Sequence, residues 1–509
     1  MGGGLMQLVA YGAQDIYLTG NPQITFFKVV YRRHTNFSME SIEQTFNGSA
    51  DFGKKVTCTI SRNGDLMYRT YLQVTLPEIS LPSSSDKFRW LNWIGHVLIK
   101  SVEIEIGGQR IDKHYGDWLH IWNELTQTSG HVAGYANMVG NVPALTQVYS
   151  GDDESSKSTT VPETTLYVPL QFFFCRNPGL ALPLIALQYH EVKINLEFRD
   201  ARECYWATGK YASQTPVLRA ASLYVDYIYL DTDERRRFAQ VSHEYLIEQL
   251  QFTGDETVVS SSNKIKLNFN HPCKELVWVV QPDANVDLSG TKSVGGPQWF
   301  NYTDALDQTW YTGTPSDPLG GGMGGDAAAA VFNPEALPLT GSYSSGQYVV
   351  AGVADASGNA VGGIGLPGHG VFDSQHCGNS SSLYNPAYPR ARLPLWDVGY
   401  NPTSVAKLQL NGHDRFSERD GRYFNLVQPY QHHENVPPTG INVYSFGLKP
   451  EEHQPSGTCN MSRIDNATLQ LTLTPTAVAG GRSCKVRVYA TNYNVLRIMS
   501  GMGGLAYSN

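Results

Sequence analysis

Apolar and polar side chains alternate with a period of two through much of the chain. In one such segment Val102, Ile104 and Ile106 alternate with Glu103 and Glu105. Successive side chains of a strand point to opposite faces, so this pattern predicts half-buried antiparallel strands. The same pattern recurs at residues 192–198, 223–229 and 469–473.

One segment has a helical period instead. Trp118, Ile121, Trp122 and Leu125 follow the spacing i, i+3, i+4 and i+7, and Asp117 precedes them as a candidate N-cap. The pattern predicts one short amphipathic helix in a strand-rich chain. Many short strands with turn residues between them and little helix predict an all-β sandwich or jelly roll rather than an α/β enzyme fold.

An internal repeat indicates that one fold was built twice. Three segments recur in the same order: 41–46 with 246–252, 55–60 with 264–269, and 104–109 with 408–413. The offset rises from 210 residues between Leu66 and Leu276 to 304 between Gly108 and Gly412. The second copy therefore carries an insertion of about 94 residues relative to the first.

These observations predict the organisation of the chain. We expect two consecutive eight-stranded jelly rolls with short helices and long surface loops. The expected parts are an N-terminal arm at 1–24, a first jelly roll at 25–235 with a surface loop at about 126–162, a second jelly roll at 236–500 with a surface insertion at about 283–394, and a C-terminal tail at 501–509. The glycine-rich ends are expected to order only on binding a neighbour.

Composition narrows the range of partners. Thirty-eight Lys and Arg against 46 Asp and Glu give a net charge of -8, so no direct nucleic-acid binding is expected. Seven cysteines without any C-x-x-C spacing predict buried thiols in a reducing compartment. We find no secretory signal pattern and no apolar run of the length, roughly 18 residues, that spans a membrane.

Candidate chemistry is sparse. Residues 363–368 satisfy G-x-G-x-x-G, but no strand leads into them, which favours a loop over a phosphate cradle. Histidines 432 and 433 with Glu434 form the densest ligand-like cluster, yet adjacent residues of a strand face opposite ways, which disfavours a shared metal ion. The run 235–237 of three arginines suggests either a contact with phosphate or anionic lipid or, as we favour, a solvated or salt-bridged linker between domains.

We therefore predict no catalytic, cofactor or metal site and no enzymatic activity. Scattered carboxylates leave a glycosidase pair open, although solvated acidic side chains are the simpler interpretation. Two N-x-[ST] triplets, at Asn301 and Asn379, fall in the insertion and are candidate glycosylation sites if the necessary enzymes are supplied.

Several motifs resemble those of one known family, the double-jelly-roll major capsid proteins of nucleocytoplasmic large DNA viruses. The resemblance covers nearly the whole chain outside the insertion. Its motifs are GNPQITFFK at 20–28, YRRH at 31–34, IGGQRID at 106–112, GRYFN at 421–425, YSF at 444–446, EEHQPSGTCN at 451–460 and SRID at 462–465.

This resemblance implies a homotrimer of pseudo-hexagonal outline that tiles the icosahedral shell of a large double-stranded DNA virus. Neighbouring capsomers, minor capsid and penton proteins, and internal viral membrane proteins are its implied partners, with assembly in the host cytoplasm. Two alternatives stay open: a minor or vertex capsid protein of the same fold, and a β-sandwich protein that binds or cleaves carbohydrate.

Overall fold

The structure is a computed structural model. It describes residues 12–22, 31, 33–83, 85–146, 148–151, 160–292, 295–306, 399–478 and 481–507. Antiparallel strands dominate these residues, as the period-two alternation predicts.

Strands of the first half form two facing sheets and two small ribbons. Their bounds are β1 Phe37–Gln44, β2 Lys55–Thr59, β3 Leu66–Leu76, β4 Ile79–Ser80, β5 Lys87–Trp90, β6 Ile99–Ile106, β7 Gln109–Tyr115, β8 Tyr149–Ser150, β9 Thr160–Val161, β10 Thr164–Pro169, β11 Leu182–Pro183, β12 Val192–Phe198, β13 Tyr205–Ala207 and β14 Ala220–Leu230. The order β1-β14-β3-β10, with β11 beside β3, defines the first major sheet, and β2-β12-β6-β7 lies opposite. The ribbons are β13-β5-β8 and β4-β9.

Strands of the second half repeat this arrangement. Their bounds are β15 His243–Phe252, β16 Glu256–Val258, β17 Ser262–Leu267, β18 Pro272–Pro282, β19 Thr403–Leu410, β20 His413–Asp414, β21 Arg419–Asp420, β22 Ile441–Ser445, β23 Cys459–Asn460, β24 Ala467–Leu473, β25 Cys484–Met499 and β26 Met502–Leu505. The second major sheet has the order β15-β25-β18-β22, with β16 and β26 beside β25 and β23 beside β18; β17-β24-β19-β20, with β21 beside β19, lies opposite.

The two halves share one topology. In each half, two sheets of four main strands enclose an apolar core, which is a jelly roll. The repeated sequence segments occupy equivalent places, since β1 corresponds to β15, β2 to β17, and the β6–β7 hairpin to the β19–β20 hairpin. The described residues thus form a double jelly roll.

Tight turns with left-handed backbone close the equivalent hairpins. Asn411 and Gly412 have φ values of 51° and 80°, and Gly107 with Gly108 forms the matching turn of the first half. Such two-residue turns suit the right-handed twist of paired strands. Ser500 and Gly501, with φ values of 53° and 80°, make a third.

That third turn corrects the expectation of a C-terminal tail that orders only on binding. It reverses the chain so that Met502–Leu505, as β26, pairs with β25. The backbone N–H of Leu505 also donates to Gln109 of the first jelly roll at 3.2 Å. Residues 502–505 are therefore part of the fold, and residues 508–509 lie outside the described residues.

The predicted helix forms over Gly116–Thr126, which we call the interface helix. Its apolar face, with Trp118 and Trp122, packs on the outer face of the second major sheet in an apolar cluster that includes Val277 and Tyr489. The N-cap expectation for Asp117 is wrong, because Tyr115 holds that position and makes no side-chain capping bond. Asp117 lies in the first turn and has an ionic role.

Other helices are short. The α-helices span Ile16–Thr19, Ile94–Leu98, Val132–Val139, Pro143–Thr146, Phe173–Arg176, Lys210–Ser213, Thr232–Gln240, Gln428–His432 and Pro475–Val478. Single 3₁₀ turns lie at Ala13–Asp15, Pro178–Leu180, Ala201–Glu203, Asp283–Asn285 and Met461–Arg463, and a π-helical turn at Tyr423–Val427.

Two segments that the sequence predicts to be surface loops contain buried residues. The stretch 126–162 includes two helices, and Tyr135, Val139 and Leu145 within it are buried, so part of it packs into the first jelly roll. The insertion at 283–394 is described only up to residue 306, where Tyr302 is 1% exposed and joins the apolar cluster around the interface helix. That described portion is folded; residues 307–398 lie outside the described residues.

The interface helix generates the first prediction. Replacing Trp118 with alanine removes a fully buried side chain from between the jelly rolls. We expect the free energy of unfolding to fall by about 3–5 kcal/mol, measured by denaturant titration with intrinsic fluorescence. Tyr400→Ala, at a side chain that is 80% exposed, is the control and should change stability by less than about 0.5 kcal/mol. Equal stability of the two variants would contradict this role.

Candidate functional site: the contact between the two jelly rolls

A buried ion pair joins the first turn of the interface helix to the second major sheet. Arg487 on β25 donates from Nη1 to Asp117 Oδ2 at 2.6 Å and from Nε to Asp255 Oδ1 at 2.9 Å. It also donates to Gln281 Oε1 at 2.8 Å. Burial disfavours the charged form, but Asp117 and Asp255 raise the pKa of Arg487 above its ordinary value.

A second charged cluster lies on the same side of the second major sheet. Glu248 on β15 accepts from Arg176 of the first jelly roll at 2.9 Å through one oxygen, and from Lys274 on β18 at 2.8 Å through the other. His453 Nδ1 lies 3.6 Å from the second oxygen. Burial alone would raise the pKa of Glu248, yet these neighbours lower it to about 2. The carboxylate is therefore ionised and shared between two cations.

Direct hydrogen bonds complete the contact. The side chain of Gln249 on β15 donates to the carbonyl of Ile111 on β7, and the N–H of Leu250 donates to Asp112 Oδ1 at 3.1 Å. Arg176 also stacks 4.0 Å from the Trp122 ring centroid. The two jelly rolls are thus held together by apolar packing, ion pairs, and hydrogen bonds between side chains and backbone groups.

Histidine 433, from the ligand-like cluster in the sequence, forms an ion-pair triad within the second jelly roll. Its Nε2 lies 2.8 Å from Glu275 Oε2 and its Nδ1 lies 2.7 Å from Glu451 Oε1. Burial opposes the charge, but Glu275 and Glu451 raise the pKa of His433 to about 9. His432 points elsewhere, with Nδ1 2.9 Å from the carbonyl oxygen of Leu448. Among the described residues no group of side chains has the arrangement of a metal site.

Two other buried histidines stay neutral. Burial lowers the pKa of His96 to about 3 and also lowers that of His120. His96 Nε2 lies 2.7 Å from the hydroxyl of Tyr135, and the His120 ring stacks on Phe300 at 4.2 Å. Because the unfolded chain would bind protons here below about pH 6.5, these residues favour unfolding as the pH falls.

A small pocket between the jelly rolls offers little for a ligand. Its charged walls are already paired, since Arg487 binds two aspartates and Lys100 pairs with Glu197 at 2.7 Å. Arg199, the remaining cation, donates to the carbonyl of Val97 and lies 4.0 Å from the Trp299 ring centroid. The pocket is lined by Lys100, Tyr115, Gly116, Asp117, Arg199, Phe252, Asp255, Arg487 and Tyr489.

Some of the remaining functional residues that the sequence suggests lie within the described residues, and others lie outside them. Arg235 pairs with Asp65 at 2.8 Å in the helix that connects the jelly rolls, which matches the salt-bridged linker. Asn301 is 8% exposed and its Nδ2 donates to Gln298 and Ala305 at 2.7 and 2.9 Å. Residues 363–368 and Asn379 lie outside the described residues.

Sequence reasoning missed the ionic roles of Glu248, Arg487 and His433. The periodicity of these segments predicts which face of a strand each residue lies on, but it does not predict which residue pairs with it. One available signal was the sequence repeat, because Ile42-Glu43-Gln44 recurs as Ile247-Glu248-Gln249. Within the described residues, no helix has the length and apolar character needed to cross a membrane.

Two known protein families together match nearly the full length of the chain. Residues 25–231 match the family described as the major capsid protein N-terminus, and residues 234–504 match the large eukaryotic DNA virus major capsid protein family. The major capsid protein of Phaeocystis pouchetii virus is 59% identical, with 100% of each chain covered. That of Paramecium bursaria Chlorella virus 1 is 42% identical with the same coverage.

Solved structures have the same fold. A chain of the PBCV-1 virus capsid superimposes with a TM-score of 0.63 at 37% identity, covering 95% of this chain and 100% of that one. The Faustovirus major capsid protein reaches a TM-score of 0.64 at 13% identity, covering 96% and 94%, which shows the shared fold alone.

The histidine triad generates a prediction about pH. The pKa of His433 is raised from 6.5 to about 9, so its stabilisation is fully present below pH 6.5 and is lost as the pH rises through 9. The corresponding loss is about 3 kcal/mol. In urea titrations between pH 6 and 10, the double variant His433→Gln with Glu275→Gln should lack this loss. His432→Gln is the control and should keep it; an unchanged slope in the double variant would contradict the triad.

The environment of Asn301 generates another prediction. Attaching a glycan to Nδ2 would replace one of the two hydrogens that donate to Gln298 and Ala305 and would expose a buried side chain. We expect peptide mass mapping of the purified protein to find Asn301 unmodified. A glycan mass on that peptide would show that modification precedes folding or that this segment opens.

Proposed function

The chain belongs to the family of major capsid proteins of large eukaryotic DNA viruses, and we propose that three copies of it form a pseudo-hexagonal capsomer. As a major capsid protein it is a component of the virion shell and assembles with other capsid proteins. The observation that carries the trimer is the duplication. One chain supplies two jelly rolls with the same strand order, so three chains arranged around an axis supply six.

The proposed activity is assembly without catalytic turnover. Family membership supports this role, as does the fact that the charged groups between the jelly rolls are paired with one another. The comparisons favour the capsid interpretation over the carbohydrate-active alternative, because the relatives named above match over their full length.

The same proposal includes the binding partners of the capsomer. We infer that capsomers contact neighbouring capsomers, minor and penton proteins and internal viral membrane proteins, and that assembly takes place in the host cytoplasm. The net charge of -8 supports a shell that does not bind DNA directly.

We also propose that the boundary between the jelly rolls lies between residues 235 and 236, within the helix Thr232–Gln240 that connects β14 to β15. The two family matches, which end at 231 and begin at 234, support a division near there.

Native mass measurement tests the trimer. We expect purified protein to give a dominant species near three times the chain mass of 56.2 kDa, stable to dilution. Obligate interfaces of this kind are large and apolar, so dissociation should require denaturant. A species that stays monomeric at every concentration, in protein with native circular dichroism, would contradict the proposal.

A further inference from the structure

Two cysteines of the second jelly roll lie side by side on neighbouring strands. Cys273 on β18 is directly opposite Cys459 on β23 in an antiparallel pair. Directly opposed residues of such a pair place their side chains on the same face of the sheet. Among the described residues, no other two cysteines lie opposite each other in a strand pair. The fold therefore makes neighbours of two thiols that are far apart in the sequence.

The spacing of paired strands suits a covalent bond between these residues. Opposed Cα atoms of an antiparallel pair lie about 4.5–5.5 Å apart, and disulfides join Cα atoms that are roughly 4.4–6.8 Å apart. Opposed Cβ atoms lie about 4.5–5.5 Å apart and must approach to about 3.8 Å in a disulfide. Strand β23 has two residues and pairs with β18 alone among the described strands, so a small shift of β23 closes this gap.

The two thiols differ in their access to solvent. Cys273 is fully buried in the core of the second jelly roll, where its Sγ donates to the carbonyl oxygen of Glu275 at 3.1 Å. Burial raises the pKa of Cys273 well above its ordinary value, and Glu275 and Cys459 add to the rise. Cys459 is partly exposed; burial raises its pKa too, but the positive charge of Arg415 opposes the rise. Cys459 is therefore the thiol that meets a small oxidant first.

An excursion of the chain ends at this cysteine pair. Ser445, the last residue of β22, lies opposite Glu275 on β18, and the chain returns to the same strand where Cys459 lies opposite Cys273. We call residues 446–458 between these points the covering segment. Both of its ends are thus attached to β18 by strand pairing, and β23 is the shorter attachment.

The covering segment contributes to both charged clusters of the second jelly roll. Glu451 lies 2.7 Å from His433 Nδ1 in the histidine triad. The carbonyl oxygen of Glu452 accepts from Lys274 Nζ at 2.9 Å, and Lys274 also pairs with Glu248. If the covering segment left β18, both clusters would lose a partner. Whatever fastens β23 to β18 therefore also stabilises the ion pairs beneath the segment.

We propose that Cys273 and Cys459 form a reversible disulfide that fastens the covering segment to β18 when the protein meets an oxidant. The oxidant is a disulfide of low molecular mass, such as oxidised glutathione. Both thiols are free in the structure, which corresponds to the reduced form. The inference goes beyond the proposed function, because the bond lies within one chain and does not require the trimer.

The reaction is a thiol–disulfide exchange in two steps. The thiolate of Cys459 attacks one sulfur of oxidised glutathione, forms a mixed disulfide and releases one glutathione, which takes up the proton that Cys459 lost. The thiolate of Cys273 then attacks the Cys459 sulfur and releases the second glutathione, which takes up the other proton. The two protein thiols are oxidised by two electrons in total, and the small disulfide is reduced to two thiols.

Peptide mapping tests the bond. The full-length protein is incubated with oxidised glutathione, its free thiols are blocked with N-ethylmaleimide, and it is digested without reductant. We expect a peptide pair that joins Cys273 to Cys459 and disappears after dithiothreitol treatment. Cys484→Ser is the matched control, since Cys484 is a buried cysteine of the same jelly roll with Val258 and Pro282 opposite it. This variant should keep the linked pair.

Three results of this mapping would overturn the inference. They are a Cys459 that stays free, a Cys459 that stops at the mixed disulfide with glutathione, and a Cys459 that links to a cysteine other than Cys273. Each is scored only in protein with native circular dichroism, so that misfolding is not mistaken for an answer. The oligomeric state of the same sample is measured separately, and none of the three results bears on the trimer.

Hydrogen exchange tests the fastening itself. In peptides that contain β23, we expect amide exchange to be at least about tenfold slower in the oxidised protein than in the reduced protein, because the bond opposes local opening. Cys459→Ser cannot form the bond, so its exchange should be the same under both conditions. Equal exchange in oxidised and reduced wild-type protein, with the linked peptide present, would show that the bond fastens nothing and would overturn the proposed role.

Discussion

Burial of the interface helix against the second major sheet is the constraint on which the arrangement of the chain depends. Trp118 and Trp122 contribute buried apolar area, and the Asp117–Arg487 ion pair restricts how the two jelly rolls are oriented. A buried ion pair contributes little net free energy, but separating its two partners leaves an uncompensated buried charge. Few relative orientations of the jelly rolls therefore keep the pair intact. The contact therefore sets the angle between two units that the connecting helix Thr232–Gln240 alone would not fix.

Duplication explains both the similarity and the difference between the halves. The strand order and the hairpin turns are the same, because they follow from alternation and left-handed turn residues. The outer faces differ, because one jelly roll must receive the helix of the other within the chain. Glu248 therefore has two cations, and Glu43, at the same position, has none among the described residues. A repeated fold with unequal faces is suited to assembly around a closed ring.

Much of the fold could be predicted from the sequence. Alternation of the kind seen from Val102 to Ile106 identified strands, the ordered repeat identified two copies, and the spacing from Trp118 to Leu125 identified the helix. The partner of that helix could not be predicted, because periodicity defines an apolar face and not the surface that covers it. The strand at Met502–Leu505 was missed because its Gly-rich composition suggested a tail, although Ser500-Gly501 is a two-residue turn signal.

The ionic site was less accessible from the sequence. The pairing of His433 with Glu275 and Glu451 joins segments far apart in the chain. The same holds for Arg176 and Glu248, which are 72 residues apart. Long-range ion pairs of this kind depend on the packing of whole sheets.

The most direct measurement of the central claim is a three-dimensional reconstruction of the purified oligomer by electron cryomicroscopy. The account predicts six jelly rolls in a ring, with the first jelly roll of each chain next to the second jelly roll of the next chain. A reconstruction with a different number of jelly rolls, or one in which identical faces meet across a two-fold axis, would contradict it.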